Sequence, residues 1–281
     1  MVKTVSMRME HQSSQKVIIA LGPWLETAAG RYVLEWEQSR LDALTTDIFG
    51  FNAMQIGLPQ INALHANRMP HKWQVDVRVG ANAGIADAAA DTGTSAVARS
   101  PMPVSVVLDY AELPFASQSL DLVVLPHVLE FAAEPHQVLR EVERVLIPEG
   151  QLIVSGFNPA SLWGARQLAG RLAGGHFLPR DGEFISPRRM KDWLKLLNME
   201  VDRGHFGCYA PPCTTEKWLQ RYAFMEEGGK RWWPYLGAVY MMHAIKRVKG
   251  MRLVGPVWTR DPVKTPHAVP VANRSNQDTN S

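Results

Sequence analysis

The residues with the clearest chemical potential lie between Asp109 and Pro159, in the stretch DYAELPFASQSLDLVVLPHVLEFAAEPHQVLREVERVLIPEGQLIVSGFNP. Asp109 offers a carboxylate able to accept two hydrogen bonds at once, or a turn cap. His127 follows Leu125 and Pro126 directly and titrates near neutrality in its ordinary state, which makes it a candidate general base. A histidine at the start of a helix also caps or packs, so both roles stand. The elements that must position these side chains are legible around them. Leu120 to Leu125 is a short apolar run of the kind that forms a strand covered on both faces. Pro135 suits a first helical turn, and Val138, Leu139, Val142, Val145 and Leu146 recur at helical spacing with Arg140, Glu141, Glu143 and Arg144 opposite. Pro148 and Gly150 stop that helix, and Leu152 to Val154 supply a second buried strand. Strand, helix and strand make one right-handed crossover of a parallel sheet, and open sheets of this kind bind ligands outside the carboxyl ends of their strands.

The spacing that joins Asp109, Leu113-Pro114-Phe115, Ser119, Asp121 and Val123 to Arg144-Val145-Leu146, Pro148 and Gly150 resembles the class I S-adenosylmethionine-dependent methyltransferases, in particular the type 11 group. The resemblance implies an α/β, Rossmann-like, doubly wound fold, with a mostly parallel seven-stranded sheet and a C-terminal antiparallel strand. It implies S-adenosylmethionine as cofactor and assigns site residues. Asp109 would accept a hydrogen bond from the adenine amino group, with Tyr110 along the base. Asp76, at the end of the second strand HKWQVDVRV, would accept the ribose hydroxyls, or stand as a solvent-exposed strand end. Leu125, Pro126 and His127 would border the methyl-transfer site. Where the family has an acidic residue and then a glycine-rich loop after its first strand, this chain has Gln55-Ile-Gly57 followed by Leu58, Pro59 and Gln60, so Gln55 and Gly57 are the only residues that match there. Asn158-Pro159 follows the fifth strand, one strand later than the family's nitrogen-binding motif, and Asn158 is expected to cap the next helix instead.

Such a reaction displaces a methyl group from a sulfonium onto an O, N, S or C nucleophile and needs neither metal nor covalent intermediate. The sequence offers no GKS/T phosphate loop, HExxH or GxSxG. Two cysteines, Cys208 and Cys213, provide neither a disulfide framework nor a metal set. A net charge of +3 gives no global field for nucleic acid. Clusters at Arg188, Arg189 and Lys191 and at Lys246, Arg247, Lys249 and Arg252 are expected to be solvated faces, with an RNA or anionic-substrate contact as the other reading. No apolar run reaches the roughly 18–20 residues of a membrane span, and the expectation is a cytoplasmic protein without a membrane partner. The alternative function is a non-catalytic binding or regulatory protein with a degenerate methyltransferase fold.

In chain order, residues 1–47 are expected to hold a polar arm and then helices over the core. In those helices Val33, Leu34, Leu41 and Leu44 form the apolar face and Glu35, Glu37, Arg40 and Asp42 the polar one. Residues 48–254 form the methyltransferase-like domain. It carries a flexible insertion at 80–103, where Ala, Gly, Ser and Thr offer no buried period. Its last two strands are expected at Glu200–Cys208 and Gly237–Ile245. The aromatics of 209–236 could be a lid, a partner surface or core, and a polar tail runs from 255 to 281.

Overall fold

The computed structural model describes residues 21–76, 106–107, 112–173, 177–179 and 182–248. The arm, the insertion at 80–103, Asp109, Tyr110 and the tail lie outside them.

Seven strands form one mixed sheet: β1 (Asn52–Ile56), β2 (His71–Asp76), β3 (Val106–Val107), β4 (Leu120–Pro126), β5 (Leu146–Phe157), β6 (Met199–Gly207) and β7 (Val239–Lys246). Their order is β3-β2-β1-β4-β5-β7-β6. The first five are mutually parallel, and β7 runs antiparallel between β5 and β6. The carboxyl ends of β1, β2, β4 and β5 therefore share one edge, and the chain order reverses between β1 and β4.

Both faces are covered. Helices α2 (Pro135–Val145) and α4 (Pro187–Leu196) pack Val138, Leu139, Val142, Met190 and Leu194 against Met54, Val123, Leu125, Leu152 and Val154. On the opposite face, α1 (Ala28–Thr45) and Trp163 of α3 (Leu162–Ala173) cover Ala53, Leu122, Val124, Ile153 and Phe157. Helix α1 starts where the Thr27 hydroxyl accepts from the Gly30 N–H, and α4 where the Ser186 hydroxyl accepts from the Arg189 N–H. The cap of α3 is Ser161, whose hydroxyl accepts from the Gly164 N–H at 3.1 Å. Asn158 instead donates to the carbonyls of Tyr235 and Gly237 and receives the Ala160 N–H.

The spaced residues of the sequence pattern have structural duties. Asp121 accepts the N–H groups of Phe51 (3.0 Å) and Asn52 (2.9 Å), which fixes the start of β1 beside β4. Arg144 donates to the carbonyls of Leu113 and Phe115, both at 2.9 Å, and pairs with Glu141. That guanidinium ties the approach to β4 onto the last turn of α2.

Two expectations about charge are corrected. Lys246 is no solvated cation: its ammonium is buried, 2.9 Å from Glu143 and bonded to the carbonyls of Glu143 and Leu146. Arg247 is held by Glu149 and Glu200. Glu37, expected on the polar face of α1, is fully buried. In the same helix Trp36 lies against β6, where a Cβ on Gly207 would come within 2.0 Å of the indole. Gly207→Ala must displace that ring, and we expect a loss of about 1–3 kcal/mol in a urea titration.

Candidate functional site

The sharing of one edge brings the predicted residues of β1, β2 and β4 together. Gln55 and Gly57 stand at the end of β1, and Asp76 is the last residue of β2, next to Val107 of β3. Leu125, Pro126 and His127 stand at the end of β4, with Pro126 paired to Ser155 of β5.

The β1 end is unlike a glycine loop. Residues 57–70 run to β2 without a helix, and Leu58, Ile61, Ala63 and Leu64 are buried beneath α1. Gly57 and Leu58 both take left-handed backbone, at φ 71° and 40°. Glycine is free to do so; leucine is not without strain. Gln55 holds the turn. Its amide donates to the carbonyls of Gly57 (3.3 Å), Leu58 (3.1 Å) and Ile61 (2.7 Å), and its oxygen accepts the Ala63 N–H (2.8 Å). The Gly57 carbonyl also receives the Gln74 amide at 2.8 Å, and its N–H donates to Val75. The polar groups of this turn are thus spent within the protein.

At the β4 end the chain turns through His127, at φ 54°, and buries it. One ring nitrogen lies 2.9 Å from Glu130 and the other 3.0 Å from Glu37. The second Glu130 oxygen accepts the Phe157 N–H at 2.5 Å, and the imidazole lies 4.3 Å from the Phe157 ring. Burial opposes charge on the imidazole, but the Glu37 and Glu130 carboxylates outweigh it, and the His127 pKa is raised to about 10. Burial pushes the Glu130 carboxyl up, with His127 acting against that rise. Glu130 was legible as a carboxylate three residues after His127. Glu37 could not be found from sequence, because its partner is distant in the chain and the helix spacing put it on the wet face.

Among the described residues, buried polar atoms at this corner without a hydrogen-bond partner include the Ser155 hydroxyl, the Tyr240 hydroxyl and the Trp36 indole nitrogen, and Glu37 meets His127 as an ion pair without hydrogen-bond geometry. Tyr240 approaches closely because Gly156 has no side chain; a Cβ there would lie 2.9 Å from the hydroxyl and 3.1 Å from Glu130. Buried polar groups are rarely left unpaired, so this corner suits a polar ligand. S-adenosylmethionine fits the edge in part. Asp76 and the Pro126 corner lie on the shared edge, whereas at the β1 end the Gly57 carbonyl is already bonded to the Gln55 and Gln74 amides.

The segment after β6 holds short helices α5 (Glu216–Arg221) and α6 (Met225–Trp232). Trp218, Phe224, Trp232, Trp233 and Tyr235 are between 49% and 73% exposed, so they are surface and not core.

Comparisons with known proteins agree with this architecture. Residues 79–154 match the type 11 methyltransferase family, described as a methyltransferase domain. The chain is 31% identical over 188 residues to the uncharacterized protein YafS of Escherichia coli, covering 66% of this chain and 68% of YafS. It is 35% identical over 71 residues to malonyl-[acyl-carrier protein] O-methyltransferase 1 of Coxiella burnetii, covering 25% of this chain and 24% of that protein. Among solved structures, it resembles a chain from the complex of the Haloferax volcanii Trm112 methyltransferase activator with a methyltransferase: TM-score 0.54, 15% identity, 83% of this chain and 98% of that one. A S-adenosylmethionine-dependent methyltransferase of Thermotoga maritima gives a TM-score of 0.50 at 16% identity, over 77% of this chain and 97% of that one.

Proposed function

The chain belongs to the class I S-adenosylmethionine-dependent methyltransferases, type 11, and from that premise we propose that it methylates an acceptor presented beside Pro126 and His127. The observation that carries this reading is the group of unpartnered, buried polar atoms, Ser155 and Tyr240, at the carboxyl edge where β4 and β5 end. When bound, the cofactor supplies a methyl group on a positively charged sulfur. Asp76 would accept the ribose hydroxyls, Asp109 and Tyr110 would hold the adenine, and Leu125 and Pro126 would form the apolar wall of the reacting end.

The work left to the chain is to place the acceptor in line and to keep water out. Orientation of this kind accounts for up to roughly 7–11 kcal/mol of a barrier. His127 is assigned a positioning role. Held between two carboxylates with its pKa raised to about 10, it keeps both ring protons at neutral pH and has no lone pair to receive another. Its charge fixes Glu130, and Glu130 fixes the Phe157 backbone at the end of β5. The acceptor must then arrive as a nucleophile that does not depend on His127 to remove a proton.

Isothermal calorimetry with S-adenosylmethionine tests the reading. We expect saturable binding, weakened about tenfold by Asp76→Ala and by Asp109→Ala, the loss of a charge-assisted hydrogen bond in each case. No heat at millimolar cofactor would overturn the enzymatic reading, and unchanged affinity in a variant would overturn that residue's role. The Gln55 turn favours a second reading, a non-catalytic protein built on the same fold, for which that absence of heat is the expected result.

A further inference from the structure

Beside the edge strand β6 lies a pocket of about 260 Å³ that no step above uses. It is lined by Arg40 of α1, His205 and Phe206 of β6, Tyr209, and Lys230 and Tyr235 of the segment that follows. Three of these side chains are basic and none is a carboxylate. Among the described residues the side chains of Arg40 and Lys230 have no hydrogen bond or salt bridge, whereas Arg31, Arg144, Arg203 and Arg247 each face a carboxylate. Unpaired cations around a concavity present a positive potential focused by its low-dielectric walls.

The walls are fixed. The Tyr209 hydroxyl donates to the Pro234 carbonyl at 2.8 Å, and the Tyr209 N–H donates to Glu226 at 2.9 Å. Glu226 also receives the Tyr32 hydroxyl, which ties α6 to α1. Phe206 and Tyr235 meet edge to face at 5.5 Å. The burial of His205 and the nearby cations, Arg40 first among them, lower its pKa, so the imidazole is neutral at pH 7 and free to accept or donate one hydrogen bond. Drug-sized ligands occupy roughly 300–1,000 Å³; this pocket takes something smaller.

We propose that the pocket between α1, β6 and the 230–235 segment binds a small molecule bearing a carboxylate or phosphate on a flat apolar body, with the anion on Arg40 and Lys230 and the body against Phe206, Tyr209 and Tyr235. Arg40 gives the planar fork that suits either oxyanion, Lys230 a mobile point charge, and the aromatic faces give area at little entropic cost. The site stands independently of methyl transfer.

Calorimetry on the full chain with phenyl phosphate, inorganic phosphate and phenol tests it. Phenyl phosphate is expected to bind one per chain and at least tenfold tighter than either of the others. Arg40→Ala and Lys230→Ala should each weaken it about tenfold, the double change Arg40→Glu with Lys230→Glu should abolish it, and Arg221→Ala, an exposed cation outside the pocket, should leave it unchanged. Thermal melting confirms that each variant is folded, and S-adenosylmethionine titrated into the same samples reports the cofactor edge separately. Equal affinity for inorganic phosphate would reduce the site to a bare cationic patch. Equal affinity for phenol would reduce it to an apolar one. Either result, or unchanged affinity in the double variant, overturns the proposal.

Discussion

Replacing Glu37 with glutamine is expected to cost about 1.5–3 kcal/mol of stability at pH 7, because it removes one of the two carboxylates beside the buried His127 while Glu130 still compensates its charge. The change is nearly isosteric, so a cavity cannot explain the loss. The same variant should alter how stability depends on pH. His127 has a folded pKa of about 10 against an ordinary 6.5. Its contribution is therefore complete below pH 6.5, declines as pH rises from there, and is gone above about 10. Glu130, raised by burial, adds a decline of the same sign from about pH 4.5 upward. Urea titrations from pH 5 to 10 should show native stability falling through this window by several kcal/mol. In the Glu37→Gln protein the decline should end at a lower pH and be shallower, because only the folded pKa moves. Identical profiles for the two proteins would sink the claim that these carboxylates hold an imidazolium.

A loss of roughly 2–5 kcal/mol is expected for Gln55→Leu, which strands the Ile61 carbonyl and the Ala63 N–H in a buried turn, the Gly57 and Leu58 carbonyls keeping the Gln74 amide and the Ile61 N–H. Gln55→Glu restores the acidic residue usual in the family at this place, and it should be at least as damaging. A carboxylate cannot donate to the three carbonyls and would be buried facing them. Its stability should recover partly on acidification, when the carboxyl regains a proton to donate. A Gln55→Glu protein as stable as the native one at pH 7 would show that the clamp is not needed.

The fold was legible where local pattern and partner lay close in the chain. The strand at Leu120, the helix starting at Pro135 and the strand through Leu152 to Val154 follow from apolar period and two prolines, and the structure has them at those places. Asp121 and Arg144 stood in the pattern by spacing alone; the structure supplies their reason, which is backbone geometry at Phe51, Asn52, Leu113 and Phe115. The site was less legible. Gln55 stood in the sequence only as a match to the family's cofactor loop, and its bonds within the turn were not legible, because a buried amide finds its partners in a turn whose path no periodicity encodes. Lys246 and Glu37 were placed on wet faces because helix and strand periods report which residues share a face, not what another element brings to it. His127 was visible as an ionisable group at a strand end. What sets its charge, together with Glu130, is Glu37, which arrives from α1.

That pairing bears on how the chain is made. Glu37 leaves the ribosome some ninety residues before His127, and at roughly 5–20 residues per second that is an interval of roughly 5–20 s. During it α1 exists with Val33, Trp36 and Leu41 uncovered, since much of what they pack against on the sheet is not yet synthesised. The helix must wait for β4, β5 and β7 before it can dock, a contact of long sequence separation that slows folding. Nascent chains halted before β5 should therefore expose an apolar helix to chaperones, and chains released after β7 should not.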